Sequence, residues 1–145
     1  MGVAALVGSP EMSSQMAEKS PGLRVLVVDD ESLIRWSLAE VLAESGHLVD
    51  EACDGASALK LLQDGSRFDV VLLDYRLPDS NDLRLLEAVR RLSPGSAVIM
   101  MTAFGTPETV DDALSLGAYR VVPKPFDVHD MARLVAEARR PACGS

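Results

Sequence analysis

The sequence predicts a doubly wound α/β domain on a five-stranded parallel sheet, and three observations carry that expectation. From Leu23 onward, short β-branched or leucine-rich runs alternate with amphipathic stretches in five pairs, the pattern of parallel strands joined by crossover helices. Three of the runs, near residues 25–28, 70–73 and 97–101, are almost continuously apolar, as strands are when helices cover both faces of their sheet. The chain has 145 residues, 48% of them hydrophobic and 25% charged, the size and composition of one domain able to bury its own core.

Residues 1–22 show no sustained period and end in Pro21-Gly22, so they read as a flexible arm ahead of a domain at 23–140, with 141–145 as a tail. The first strand is Arg24–Val28. Asp29-Asp30-Glu31 follows, then a helix with Leu33, Ile34, Leu38, Val41 and Leu42 on its apolar stripe and Gly46 as its stop. A second strand near Leu48–Ala52 leads to a helix around residues 56–63 and Gly65. The third strand, residues 68–73, runs straight into Asp74, and after the loop 76–81 a helix carries Leu83, Leu86, Val89 and Arg90 up to Pro94-Gly95. The fourth strand, 97–101, delivers Thr102, and the next helix spans about 107–116 between Thr106 as N-cap and Gly117. The fifth strand, 119–122, delivers Pro123-Lys124-Pro125, and the last helix aligns Val128, Met131, Leu134, Val135 and Ala138.

Charge and cysteine usage narrow the function. Lys plus Arg total 14 against 22 Asp plus Glu, a net charge of -8, which argues against nucleic-acid binding by phosphate neutralisation. Cys53 and Cys143 form neither a disulfide framework nor a zinc ligand set. No apolar run reaches membrane-spanning length, and the first residues lack the basic flank of a secretory signal, so the expected setting is cytoplasmic. His47 and His129 read as solvated, and the methionines show no cofactor pattern. Trp36 falls off the apolar stripe of its helix. With Arg35 it reads either as a kinase-docking surface or, preferred, as an ordinary exposed tryptophan.

In a doubly wound sheet ligands sit at the carboxyl ends of the strands. Those ends carry Asp29 and Asp30, Asp74, Thr102 and Lys124. Three converging carboxylates repel one another unless a cation sits among them, and an oxygen-only set suits Mg²⁺. A carboxylate beside Mg²⁺ can attack phosphorus, and Asp74 is the best placed to do so. Thr102 opposite it can donate a hydrogen bond to a phosphoryl oxygen, and Lys124 can neutralise its charge. Each residue alone has an ordinary structural explanation, such as a helix cap, a strand end or a surface lysine. Their joint placement at the correct strand ends favours chemistry.

These residues also carry a family likeness. The set Val27-Val28-Asp29-Asp30-Glu31, Leu72-Leu73-Asp74-Tyr75-Arg76-Leu77-Pro78, Met101-Thr102-Ala103 and Pro123-Lys124-Pro125-Phe126 resembles the CheY-like receiver domain of bacterial response regulators, over about residues 23–140. The stretches 33–38 and 117–126 look most like receivers of NtrC-type activators. The resemblance implies strand order 2-1-3-4-5 and phosphorylation of Asp74 by a sensor histidine kinase or phosphotransfer protein. It implies Mg²⁺ on Asp29 or Asp30 or both, on Asp74 and on the Arg76 backbone carbonyl, contacts from Thr102 and Lys124 to the phosphoryl group, and a cis Lys124-Pro125 bond. Such a domain assists its own phosphorylation and dephosphorylation but is no turnover enzyme. Any homodimer is expected through the fourth helix, fifth strand and fifth helix.

Two positions depart from the family pattern. Val121 stands where the family usually has a switching Tyr or Phe, so coupling is expected to rest on Thr102 and the Phe104-Gly105 loop. Asp82 stands where many receivers have Gly, which predicts an altered but usable turn. Arg76 and Phe104, each two positions beyond a site residue, are expected to flank the phosphoryl group and slow its hydrolysis. The competing reading is a phosphorylation-independent interaction module on the same fold, for which Val121 speaks and the clustered acids do not.

Overall fold

The computed structural model describes residues 22–139. The expected arm, apart from Gly22, and the expected tail lie outside the described residues, as does Cys143.

The chain alternates β1 (Arg24–Val28), α1 (Ser32–Glu44), β2 (Leu48–Ala52), α2 (Gly55–Gln63), β3 (Val70–Asp74), α3 (Arg84–Leu92), β4 (Ala97–Thr102), α4 (Pro107–Ser115), β5 (Arg120–Pro123) and α5 (Val128–Arg139). All neighbouring strands pair in parallel, in the order β2-β1-β3-β4-β5. The three nearly continuous apolar runs are thus the three inner strands, and the edge strands β2 and β5 are the more polar ones.

Strand alternation sorts the core into two layers. Val25, Val27, Val70, Leu72, Ile99 and Met101 face one side, packing with Leu38 and Leu42 of α1 and Met131 and Val135 of α5. Leu26, Val28, Val71, Leu73, Val98 and Met100 face the other, packing with Ala58 and Leu62 of α2, Leu86 and Val89 of α3 and Ala113 of α4. Burying each large side chain contributes roughly 1.5–3 kcal/mol. The outcome for function is a rigid sheet whose carboxyl ends share one edge, with the direction of winding reversing between β1 and β3.

Several boundaries and faces differ from expectation. The third strand starts at Val70; Phe68 is buried beside it but lies before the ladder. Leu83 precedes α3 and Tyr119 precedes β5, each within the usual scatter of element ends. Leu33 is 72% exposed on α1, whose buried stripe narrows to Leu38 and Leu42. His47 is not simply solvated: it is half-buried, and its Nδ1 accepts the Leu23 N–H at 3.0 Å. His129 is exposed, as expected. Gly117 has φ +104, and a Cβ there would lie 2.8 Å from Arg90 Nε, so a side chain would meet both strain and a clash. No helix among the described residues is long and apolar enough to cross a membrane.

Candidate functional site

Parallel pairing brings the ends of β1, β3, β4 and β5 to one edge, and the backbone ties their loops together there. Asp29 N–H donates to Ala52 O (3.1 Å), Tyr75 N–H to Met101 O (2.8 Å) and Lys124 N–H to Thr102 O (2.8 Å). Asp29, Asp74 and Thr102 are buried at 0%, 5% and 3% exposure, whereas Asp30 is exposed. The Lys124-Pro125 bond is cis, as expected.

Lys124 Nζ lies at the centre of the acids. It donates to Asp29 Oδ2 at 3.0 Å, Asp74 Oδ2 at 3.1 Å and Glu31 Oε1 at 3.2 Å. The other carboxylate oxygens accept backbone donors: Asp29 Oδ1 takes the Glu31 N–H at 2.8 Å, and Asp74 Oδ1 takes the Arg76 N–H at 3.2 Å. Thr102 Oγ1 accepts the Phe104 N–H at 3.1 Å, which leaves its own proton available for another acceptor. These groups open onto a cleft of about 260 Å³ whose acidic wall includes Asp30, Glu31 and Asp74 and whose far side is Thr102, Ala103 and Phe104. Arg76 and Lys124 complete the lining.

One lysine does not offset the acids fully. Burial first, and the neighbouring Asp29 charge second, push the Asp74 carboxyl up to about 6 against the pull of Lys124 and the Arg76 N–H. Burial opposes charge on Lys124, but its bonds to Asp29 and Asp74 outweigh that and hold it above the usual lysine range. One oxygen each from Asp29, Asp30 and Asp74 lies within 4.8 Å of the others. An all-oxygen set of this kind, still short of positive charge, fits a hard divalent cation.

The structure therefore brings together Asp29, Asp30, Asp74, Thr102 and Lys124, and places Arg76 in the cleft wall. Val121 is half-buried against the layer formed with α2, α3 and α4, with no ring at that position to swing. Asp82 closes its own turn: its Oδ1 accepts the Arg84 N–H at 2.9 Å at the start of α3. Three contributions were not anticipated. Glu31, at the N-cap of α1, makes no cap bond and turns to Lys124 instead. The Arg35 guanidinium, next in sequence to Trp36, holds Asp29 O at 2.7 Å and Glu51 Oε1 at 3.0 Å. Asp79 caps α2 from a distant loop. A carboxylate directly before a helix was a visible signal for Glu31, whereas the Arg35 and Asp79 contacts depend on tertiary placement alone. Trp36 remains 57% exposed.

The family model described as "Response regulator receiver domain" matches residues 25–136, most of the chain. The chain belongs to the response regulator receiver domain family. The "Regulatory protein AtoC" of Escherichia coli (strain K12) is 37% identical over 115 residues, covering 79% of this chain and 25% of that protein. The "DNA-binding transcriptional regulator NtrC" of the same strain is 38% identical over 114 residues, covering 79% and 24%. The expected likeness to NtrC-type receivers is thus borne out, and the receiver spans about a quarter of the length of these curated relatives. Among solved structures, a CheY-like receiver domain protein from Methanospirillum hungatei JF-1 superposes with a TM-score of 0.76 at 30% identity, covering 81% of this chain and 93% of that one.

Proposed function

We infer that this receiver is a phosphorylation-driven signalling switch in which Asp74 accepts a phosphoryl group from a histidine kinase or phosphotransfer protein, with Mg²⁺ as its cofactor. The observation that carries the reading is the position of Lys124 Nζ, within 3.1 Å of Asp74 and 3.0 Å of Asp29, beside a cleft lined across from them by Thr102.

Asp74 Oδ attacks the phosphorus of a phosphohistidine. The new O–P bond replaces the P–N bond, and the imidazole nitrogen leaves with the electron pair and takes a proton from water. Asp29, Asp30, Asp74 and the Arg76 carbonyl are the residues to hold Mg²⁺, which when bound neutralises charge on the transferring oxygens. Lys124 neutralises the same oxygens from the β5 side, and Thr102 donates its free hydroxyl proton to one of them. The phosphorylated side chain carries about -2 charge, enough to draw Lys124 away from Glu31 and Thr102 away from its present position. With Val121 unable to act as a rotating ring, the Phe104-Gly105 segment after Thr102 passes that movement on to α4. The domain assists its own phosphorylation and dephosphorylation without being a turnover enzyme. With a net charge of -8, it acts on proteins, and any effect on transcription passes through a partner or an attached domain.

Transfer of label from autophosphorylated sensor kinases tests this. Label should reach the wild-type protein in Mg²⁺, and should reach neither the Asp74→Asn variant nor the wild type in EDTA. Equal labelling of Asp74→Asn, or no transfer from any kinase, overturns the reading and leaves the interaction module.

A further inference from the structure

Asp79 lies outside the cleft, in the loop that follows Asp74, and the chemistry above gives it no part. Its carboxylate nevertheless spans 24 residues of sequence to the first turn of α2. Oδ1 accepts the Gly55 N–H at 2.8 Å, and Oδ2 accepts the Ala56 N–H at 3.0 Å. That helix already has a local cap, because Asp54 Oδ1 takes the Ser57 N–H at 2.8 Å and Asp54 O takes the Ala58 N–H at 3.2 Å. Gly55 admits the carboxylate: a Cβ there would lie 3.2 Å from Asp79 Oδ1 and 3.2 Å from Leu85 Cδ2.

The contact closes a circuit behind the acidic cluster. Leu77 and Ser80 exchange backbone hydrogen bonds of 2.7 and 3.1 Å, so Asp79 sits within a closed turn, and Leu77 is buried in the layer that holds Ala58 and Leu62. Upstream of that turn, the Arg76 N–H bonds Asp74. On the other side of the contact, Ala52 O, just before the α2 turn, accepts the Asp29 N–H. Three hydrogen-bonded links, Asp74 to Arg76, Asp79 to Gly55 and Ala52 to Asp29, are therefore joined by the short backbone segments 76–79 and 52–55.

We propose that Asp79 is a positioning residue: by strapping the loop after Asp74 to the N-terminus of α2, it sets the spacing of the Asp29, Asp30 and Asp74 oxygens toward a divalent cation. This rests on the Mg²⁺ reading of that cluster. Residues that orient metal ligands without touching the metal typically alter affinity by about ten- to a hundredfold. A two-bond strap acting through backbone belongs at the lower end of that range.

Asp54→Ala is the control, since it removes a cap from the same helical turn without touching the loop. Titrating Mg²⁺ calorimetrically into each variant should give a Kd raised about tenfold in Asp79→Ala and changed less than about twofold in Asp54→Ala. In the metal-free state the Leu77 and Ser80 amides should exchange faster in Asp79→Ala only. Equal Kd changes in the two variants, or an unchanged Kd in Asp79→Ala, overturn the proposal. Should Asp79→Ala fail to fold, Asp79→Asn sets an NH₂ against one N–H donor, and against Asp54→Asn it should still show a Kd at least twofold higher; no difference overturns the proposal. A wild-type protein that binds no Mg²⁺ overturns the cluster reading and this inference with it. A wild type that binds, matched by an Asp79 variant that binds equally well, overturns this inference alone.

Discussion

The Arg76 guanidinium lies over the Phe104 ring, its Cζ 4.9 Å from the ring centroid. The pair spans the mouth of the cleft from the loop after Asp74 to the loop after Thr102, a cation–π contact that at an exposed site contributes about 0.5–1 kcal/mol. If Asp74 is the phosphoacceptor, these two side chains flank the approach of water to its acyl phosphate. The Arg76→Ala, Phe104→Ala double variant should lose phosphate about three- to tenfold faster than wild type, followed by intact mass over time. A rate unchanged or lowered counts against the pair as a barrier.

Charge at Asp74 destabilises the metal-free fold. Its folded pKa of about 6 stands above the unfolded value near 3.9, so the neutral form is favoured by folding. That stability is fully present below about pH 4 and is lost as pH rises through about 6. Asp74→Asn, neutral at every pH, should therefore be more stable than the wild type at pH 7.5 without metal, by about 1–2 kcal/mol or roughly 3–8 °C in Tm. The gap should close below about pH 4, and added Mg²⁺ should raise the Tm of the wild type more than that of the variant. Thermal melts across pH check both.

His47 works with the opposite sign. Burial holds its pKa below the usual 6.5, against the pull of Asp69, and its Nδ1 must be unprotonated to accept the Leu23 N–H. The stability it contributes is present above pH 6.5 and is lost as pH falls through the folded pKa. His47→Gln keeps an acceptor without titrating. Denaturant melts from pH 7.5 to 5 should show the wild type losing ground to His47→Gln on acidification; parallel curves would contradict this.

Glu31 is 58% exposed on its side-chain surface, so its ion pair with Lys124 adds little to stability, typically under about 1 kcal/mol. Its larger effect is on charge at the cleft mouth. Glu31→Gln frees Lys124 from a competing partner and removes one negative charge facing an anionic donor. Phosphorylation by acetyl phosphate should run about two- to fivefold faster at low salt, with the advantage shrinking as salt is added, and the Tm should move little.

Which features were legible in the sequence follows from the range over which each contact acts. The inner strands were visible because Val25 to Val28, Val70 to Leu73 and Val98 to Met101 are each apolar on both faces. The site residues were visible because strand ends converge in this topology, so knowing the strand places Asp29, Asp74, Thr102 and Lys124 without knowing any side-chain contact. What escaped were bonds from side chain to distant backbone. Asp79 to Gly55, His47 to Leu23 and Arg35 to Asp29 O leave no trace in a hydrophobic period. Leu33 misled for a related reason: it fits a helical stripe in sequence, yet the layer formed with α5 closes over Leu38 and Leu42 and leaves it outside.

The central claim is that Asp74 accepts the phosphoryl group, and intact-protein mass after incubation with acetyl phosphate and Mg²⁺ tests it most directly. The wild type should gain about 80 Da, the mass of one phosphoryl group, and EDTA or Asp74→Asn should each abolish the gain. A gain that persists in Asp74→Asn, or a wild type that gains nothing, would contradict the account.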